Sequence, residues 1–297
     1  MATLVFDIRA PRTAGAWLCG ALLGLSGAIA QGVFRNPLAD PYLLGSASGA
    51  ALGVALFMVV MGLPLGTALG NTWIGLGLKF GATGSAFMGA ALAVFATLTL
   101  AGGLQRGLKL VLAGVVVGVM LGAVTSLLTL VVPDILRSMQ AFLLGTTAYL
   151  GWPAVVILAA VLVPCVAAAL LHSRSLDALT LGHATAQSLG VPLSTSRATL
   201  IIVLALATGS AVAQSGLVAF VGLAAPHIVR SALRTSRWSV RLVGSTVTGG
   251  ALLLWADLIA RWLLAPQEIP VGVVTAVLGG VYLLWLMHRS DTRQENA

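Results

Sequence analysis

Charge is what this chain has least of: charged residues are 8% of its 297 positions, with eight carboxylates, and lysine occurs only at Lys79 and Lys109. Hydrophobic residues make up 59% and the mean hydropathy is +1.03. So little charge cannot cover a water-soluble globule, and that much apolar surface cannot be hidden in one core; an integral membrane protein with many spans is the class that remains. The scarcity of lysine excludes a second class. A loop of the type Gly-x-x-x-x-Gly-Lys-[Ser/Thr] needs a lysine behind its glycines, and neither lysine stands there, so the chain does not bind ATP in that way. Cys19 and Cys165 fall inside apolar runs, away from any metal-ligand spacing, and read as small packing residues. The four histidines sit at span ends or in loops and the methionines show no paired pattern, so no haem ligands, metal site or other cofactor is expected.

A span needs roughly 20 apolar residues. Such windows cover 14–33, 44–63, 82–103, 110–132, 152–171, 198–213, 242–263 and 270–287. A ninth element, 216–229, is too short to cross as a normal helix and is closed by Pro226, His227 and Arg230. The expected fold is an all-α helical bundle of about nine membrane elements, one of them a half-helix.

The formal charge of +8 reports topology. With Arg35 inside and alternating spans, eleven basic residues fall inside (Arg35, Arg106, Lys109, Arg174, Arg197, Arg230, Arg234, Arg237, Arg241, Arg289, Arg293) and five outside (Arg9, Arg12, Lys79, Arg137, Arg261). That asymmetry follows the positive-inside rule and calls for no nucleic-acid partner. No cleaved signal peptide is visible at the start. Nine elements with the C-terminus inside leave residue 1 outside, so one further N-terminal span, absent from this sequence, is expected.

The longest inner loop, 172–197, carries a Leu/Ala pattern of helical spacing stopped by Gly190 and Pro192, which predicts two short surface helices. Gly45, Gly49 and Gly53 form one small-residue ladder and Gly114, Gly118 and Gly122 another; such faces allow close helix contact, within the chain or across a dimer. Arg35-Asn36-Pro37-Leu38-Ala39-Asp40-Pro41 forces an irregular turn, either a tight connection between two helices or a break at membrane depth, which is tolerated only where protein or a water-filled path surrounds it. Gly24-Leu25-Ser26-Gly27 matches an intramembrane serine protease pattern, but Ser26 has no histidine in a neighbouring span to act as its base, so small-residue packing is expected. A secondary transporter would keep ionisable groups near the midplane, and none is found there. Asp257 and Arg261, four apart, can pair on one helix face, or Arg261 can face outward for recognition.

These residues resemble FecCD-type permeases, the membrane subunits of ABC importers for ferric siderophores, haem and cobalamin. The resemblance rests on Ile8-Arg9-Ala10-Pro11-Arg12, on Ser26-Gly27-Ala28 through Gln31 and Asn36-Pro37-Leu38-Ala39-Asp40-Pro41 to Leu44-Gly45, on Phe220-Val221-Gly222-Leu223 with Pro226-His227-Ile228-Val229-Arg230, and on Ala256-Asp257-Leu258-Ile259-Ala260-Arg261 followed by Glu268 to Ala276. The motifs run in family order from residue 8 to 288. The resemblance implies that residues 1–297 form a single permease domain with a cytoplasmic coupling loop at about 172–197, from a ten-span subunit whose first span is missing. It implies a homodimer around a central path in the inner membrane, two cytoplasmic ATPase subunits, an external binding protein and a metal-chelate substrate. Haem or a ferric siderophore is expected ahead of cobalamin. ATP hydrolysis would belong to the partner chains, so no catalytic residue is implied here.

By residue, Arg9, Arg12 and Arg261 match outward arginines that pair with carboxylates on the binding protein. Arg137 matches a basic position at the mouth of the path. Asn36 and Leu38, with Gly107 and Leu108 opposite, match the inner gate. Leu181, Gly182, His183, Ala186, Leu189 and Gly190 lie in the stretch similar to the helices that couple to the ATPase. His183 and Gln187 depart there from the acidic residue and arginine that many relatives carry.

Overall fold

The structure, a computed structural model, describes residues 4–62, 73–102, 107–180, 193–233 and 235–294. Its apolar runs form helices because only a helix satisfies every backbone amide and carbonyl without water. A π-helical turn, Leu4–Arg9, leads into α1 (Ala10–Phe34), where Pro11 occupies a first-turn position whose missing amide costs nothing. There follow α2 (Ser46–Met61), α3 (Trp73–Leu100), α4 (Gly107–Val131), α5 (Leu136–Leu144), α6 (Trp152–Leu171), α7 (Ser173–Thr180), α8 (Leu193–Ser215), α9 (Val221–Leu233), α10 (Trp238–Trp262) and α11 (Val271–Gln294).

Six of the described helices, α1, α3, α4, α6, α8 and α10, are long and apolar enough to cross a membrane. With the shorter α2 and α9, and with α11, whose apolar part is Val271–Leu284, they make up the nine elements expected. The half-helix begins later than the sequence suggests. Residues 216–220 are unwound, with Gly216 and Phe220 both at a φ of +68 to +69°, a left-handed conformation that costs the phenylalanine and suits the glycine. The freed backbone groups bond outside the segment: the Thr146 amide donates to the Ser215 carbonyl at 2.7 Å and the Leu217 amide to the Phe142 carbonyl at 3.0 Å.

α1 is the axis. In its most apolar window 83% of residues are buried, against 22% for α4 and 28% for α3 and α6. It packs on α10, α8, α9 and α6, while α2 packs on α3 and α4. Close approach is bought by glycine at each crossing: a methyl at Gly27 would overlap the Gly222 carbonyl, one at Gly20 the Gly249 carbonyl, and one at Gly49 the Gly89 carbonyl. The first ladder therefore works inside the chain, with Gly49 and Gly53 on α3. The second does so only at Gly114, which meets the Leu43 carbonyl; Gly118 has ordinary contact with Ser48 and Gly122 faces open space.

Candidate functional site

Two groups of charged side chains stand at helix ends. At one end Asp257, wholly buried on α10, receives Arg12 and Arg261. Its Oδ1 accepts from Arg12 Nε at 3.2 Å and Nη2 at 3.0 Å and from the Thr147 hydroxyl. Its Oδ2 accepts from Arg261, one turn along the same helix. Arg12 turns its remaining nitrogen to Glu268, donating at 2.8 Å to both carboxylate oxygens. Two guanidiniums and two carboxylates thus form a network of zero net charge that ties α1 to α10 and to the loop before α11. Nearby, the Trp152 indole donates to the Phe6 carbonyl at 3.0 Å and fixes the entry turn on α6.

Of the arginines expected to face a docking partner, Arg9 is exposed, whereas Arg12 is 9% exposed and already bonded within the chain. Arg261 is half-buried and paired, so the self-pairing of Asp257 with Arg261 exists and Arg12 joins it. Glu268 and Thr147 were not singled out from sequence. Glu268 could have been, as one of only eight carboxylates in the chain and the one nearest in sequence to Arg261 after Asp257. Arg137 stands exposed in the first turn of α5.

At the other end α1 closes with Arg35 at φ +53°, where the Asn36 amide reaches the Gln31 carbonyl and the Arg35 amide the Gly32 carbonyl. Asn36 Oδ1 accepts from the Leu38 amide at 2.9 Å, a side-chain turn that holds Leu38 exposed beside it. The chain then re-enters the bundle. Asp40 accepts from the Tyr42 amide at 2.8 Å and caps the short 3-10 turn Pro41–Leu44. The Tyr42 hydroxyl donates to the Val218 carbonyl at 3.0 Å and Thr97 to the Leu44 carbonyl at 3.0 Å. The irregular turn is therefore divided: Arg35 to Leu38 are exposed, while from Ala39 onward the chain re-enters the protein and Tyr42 bonds it to the unwound 216–220 segment. Gly107 and Leu108 open α4, but their side chains lie outside those described.

The first half of the 172–197 loop packs rather than projects. Leu176 and Leu179 of α7 are each 1% exposed, Ser175 shares a 2.9 Å hydrogen bond with Ser196, and Asp177 accepts the Trp238 amide at 2.9 Å, pinning α7 to the start of α10. The expected coupling residues Leu181, Gly182, His183, Ala186, Leu189 and Gly190 lie outside the described residues. Ser26 is fully buried and donates to the Leu23 carbonyl at 2.9 Å, in keeping with packing. No group of three or more potential metal-ligating side chains occurs among the described residues.

Residues 1–289 match the FecCD transport family. The chain is 38% identical over 289 residues to the hemin transport system permease protein HmuU of Yersinia pestis, covering 95% of this chain and 82% of that one. It is 36% identical over 295 residues to the vitamin B12 import system permease protein BtuC of Klebsiella pneumoniae, covering 97% and 83%. Its fold superposes on an inward-facing structure assigned to a metal-chelate type ABC transporter with a TM-score of 0.86 at 27% identity, over 97% of this chain and 88% of that one. It shares the general fold of PsaBC from Streptococcus pneumoniae at a TM-score of 0.59 and 17% identity. The match of the family to nearly the whole chain, on a bundle of membrane-crossing helices with charge confined to its ends, makes this protein a multi-pass membrane permease belonging to the FecCD transport family.

Proposed function

We propose that this chain is the permease subunit of a binding-protein-dependent ABC importer that moves a metal chelate, haem or a ferric siderophore, across the inner membrane into the cytoplasm. It works as a homodimer, powered by ATP hydrolysis on two partner subunits. The observation that carries the reading is the family match across 289 residues, joined to 38% identity with a hemin permease. The placement of charge supports it: the buried carboxylates among the described residues, Asp40 and Asp257, are already bonded in a turn and at a helix end, whereas a secondary transporter keeps ionisable groups near the midplane. Cobalamin is the second reading, favoured by 36% identity to a vitamin B12 permease over 97% of this chain.

Arg9, with Arg12 and Arg261 behind it, forms the surface that meets carboxylates of the binding protein. Arg137 attracts an anionic substrate to the mouth of the path. Asn36 and Leu38 with Gly107 and Leu108 close its inner end, and residues 181–190 engage the ATPase. Binding-protein docking outside and nucleotide on the ATPases each favour one arrangement of the spans, and only a difference in affinity between arrangements shifts the balance.

The test is ATP-dependent uptake of haem, a ferric siderophore and cobalamin, each assayed separately, into proteoliposomes holding this chain with its ATPase and binding protein. Uptake of haem or the siderophore is expected; uptake of cobalamin alone selects the second reading. A chain that fails to hold an ATPase at all overturns both.

A further inference from the structure

A cavity of about 240 Å³ opens at the inner end of the bundle between α1, α7, α9 and α10. Three arginines from three different places in the sequence line it: Arg35 from the left-handed end of α1, Arg230 from the last turn of α9 and Arg241 from the first turn of α10. None forms a salt bridge with a carboxylate among the described residues. Arg230 and Arg241 lie close enough for their charges to oppose one another, with Asp177 the compensating carboxylate near Arg241. Asp177 is itself engaged by the Trp238 amide. Residues 181–192, which follow α7 in the sequence, contain no carboxylate.

The wall supplies a second, independent sign. Trp238 lines the same cavity and is 7% exposed, yet its indole Nε1–H is buried with no hydrogen-bond partner among the described residues. A buried indole N–H is ordinarily bonded, and leaving one unbonded carries a desolvation cost. The indole is held in place: its ring edge sits against Gly32, and the Arg241 guanidinium lies 5.2 Å from the ring centroid while donating to the Thr235 carbonyl at 2.7 and 2.9 Å. The orphan donor and the Arg241 guanidinium are thus held in place before anything enters the cavity, and the exposed Arg35 and Arg230 line the same space.

We propose that this cavity is an anion site for a phosphate group, supplied by an anionic phospholipid of the cytoplasmic leaflet or by free phosphate. Planar guanidinium forks match phosphate oxygens in pairs, and basic pockets between spans on the cytoplasmic side suit lipid headgroups. The Trp238 indole provides the N–H donor, since the other polar groups of the lining, the Thr180 hydroxyl and the Gln31 amide, already donate to the Asp177 and Leu223 carbonyls. The volume is below the roughly 300–1,000 Å³ of sites for drug-sized ligands, so the ligand is a small anion or headgroup and not the transported chelate. Occupancy bridges α7, at the start of the loop expected to meet the ATPase, to α1 and α10, so it fastens that loop to the bundle. The site stands whichever cargo the permease carries.

The experiment uses the purified full chain and two variants, Arg230→Gln, at an exposed position, and Trp238→Phe, which keeps a ring and removes the N–H. Native mass spectrometry reads retention of phosphatidylglycerol against phosphatidylcholine from mixed micelles, and thermal unfolding is followed in inorganic phosphate against chloride at equal ionic strength. The wild type is expected to retain phosphatidylglycerol preferentially, with affinity reduced about tenfold in Arg230→Gln, the loss of one charged hydrogen bond. That result assigns the lipid as source; stabilisation by inorganic phosphate, lost in the variants and without lipid preference, assigns free phosphate. Equal behaviour of wild type and both variants towards lipid and phosphate overturns the site. So does an Arg230→Gln variant that binds both anions normally but loses its ATPase, which would make the cavity a seat for a protein carboxylate.

Discussion

Asp257 and Glu268 share Arg12 yet hold it on different terms. Asp257 is wholly buried and answers two guanidiniums, whereas the Glu268 side chain is 45% exposed. Removing the buried partner takes the carboxylate from Arg261 and leaves Arg12 with Glu268 alone; breaking a buried pair typically costs about 3–5 kcal/mol, while an exposed pair is worth about 0–1 kcal/mol. Asp257→Ala is therefore expected to lower the thermal unfolding midpoint in detergent sharply and Glu268→Gln barely to move it; equal losses would show that the network does not depend on burial. Asp40 supports a pH prediction. Burial pushes its carboxyl up from 3.8 to about 6, with the Tyr42 amide opposing. A carboxyl raised in the folded state favours folding fully below its ordinary value and loses that contribution as pH rises through the folded one. The wild type should lose stability relative to Asp40→Asn, which keeps an acceptor for the Tyr42 amide, between pH 4 and 6. Parallel midpoint–pH curves for the two proteins would contradict the assignment.

Among elements, what could be read in advance was whatever depends on local pattern. The apolar windows anticipated α1, α4, α6, α10 and α11, because roughly 20 residues of oil admit only a helix. The end of α1 was legible too, since Arg35-Asn36-Pro37 cannot continue one. The unwinding of 216–220 was not, because Leu217 to Phe220 is an apolar run and its break is stabilised by the Phe142 carbonyl of α5 and the Tyr42 hydroxyl, both far away in sequence. Nor was the Arg12–Glu268 pair, 256 residues apart. The glycines fall between: their spacing marked two close-contact faces, and only packing tells which face is used. Gly27 lies where a side chain would strike the Gly222 backbone, whereas Gly84 of α3 faces open space. Overpacking of this kind costs about 1–3 kcal/mol or more, against less than about 0.5 kcal/mol for a change at an open surface. Gly27→Val should abolish a monodisperse peak in detergent chromatography while Gly84→Val elutes as the wild type does; a monodisperse Gly27→Val would mean that α1 and α9 can part.

The whole molecule has a sheltered side and an uncovered one. α1 is enclosed by its neighbours, while α3, α4 and α6 leave most of their apolar surface open. Lipid can cover any such face, but it does not distinguish a smooth groove of small residues from a ridge of large ones, whereas a second helix does. α4 carries the groove: Gly118 and Gly122 lie one turn apart, and among the described residues nothing packs closely on Gly122. Val163 on α6 is 70% exposed with no comparable ladder beside it. If two copies meet through α4, Gly122→Cys should give, on mild oxidation in the native membrane, a reducible band of twice the chain mass, and Val163→Cys should not. The native Cys19 and Cys165 are buried and will not obscure the result. A cross-link at Val163 with none at Gly122 would move the dimer contact to α6 and leave the α4 groove to lipid.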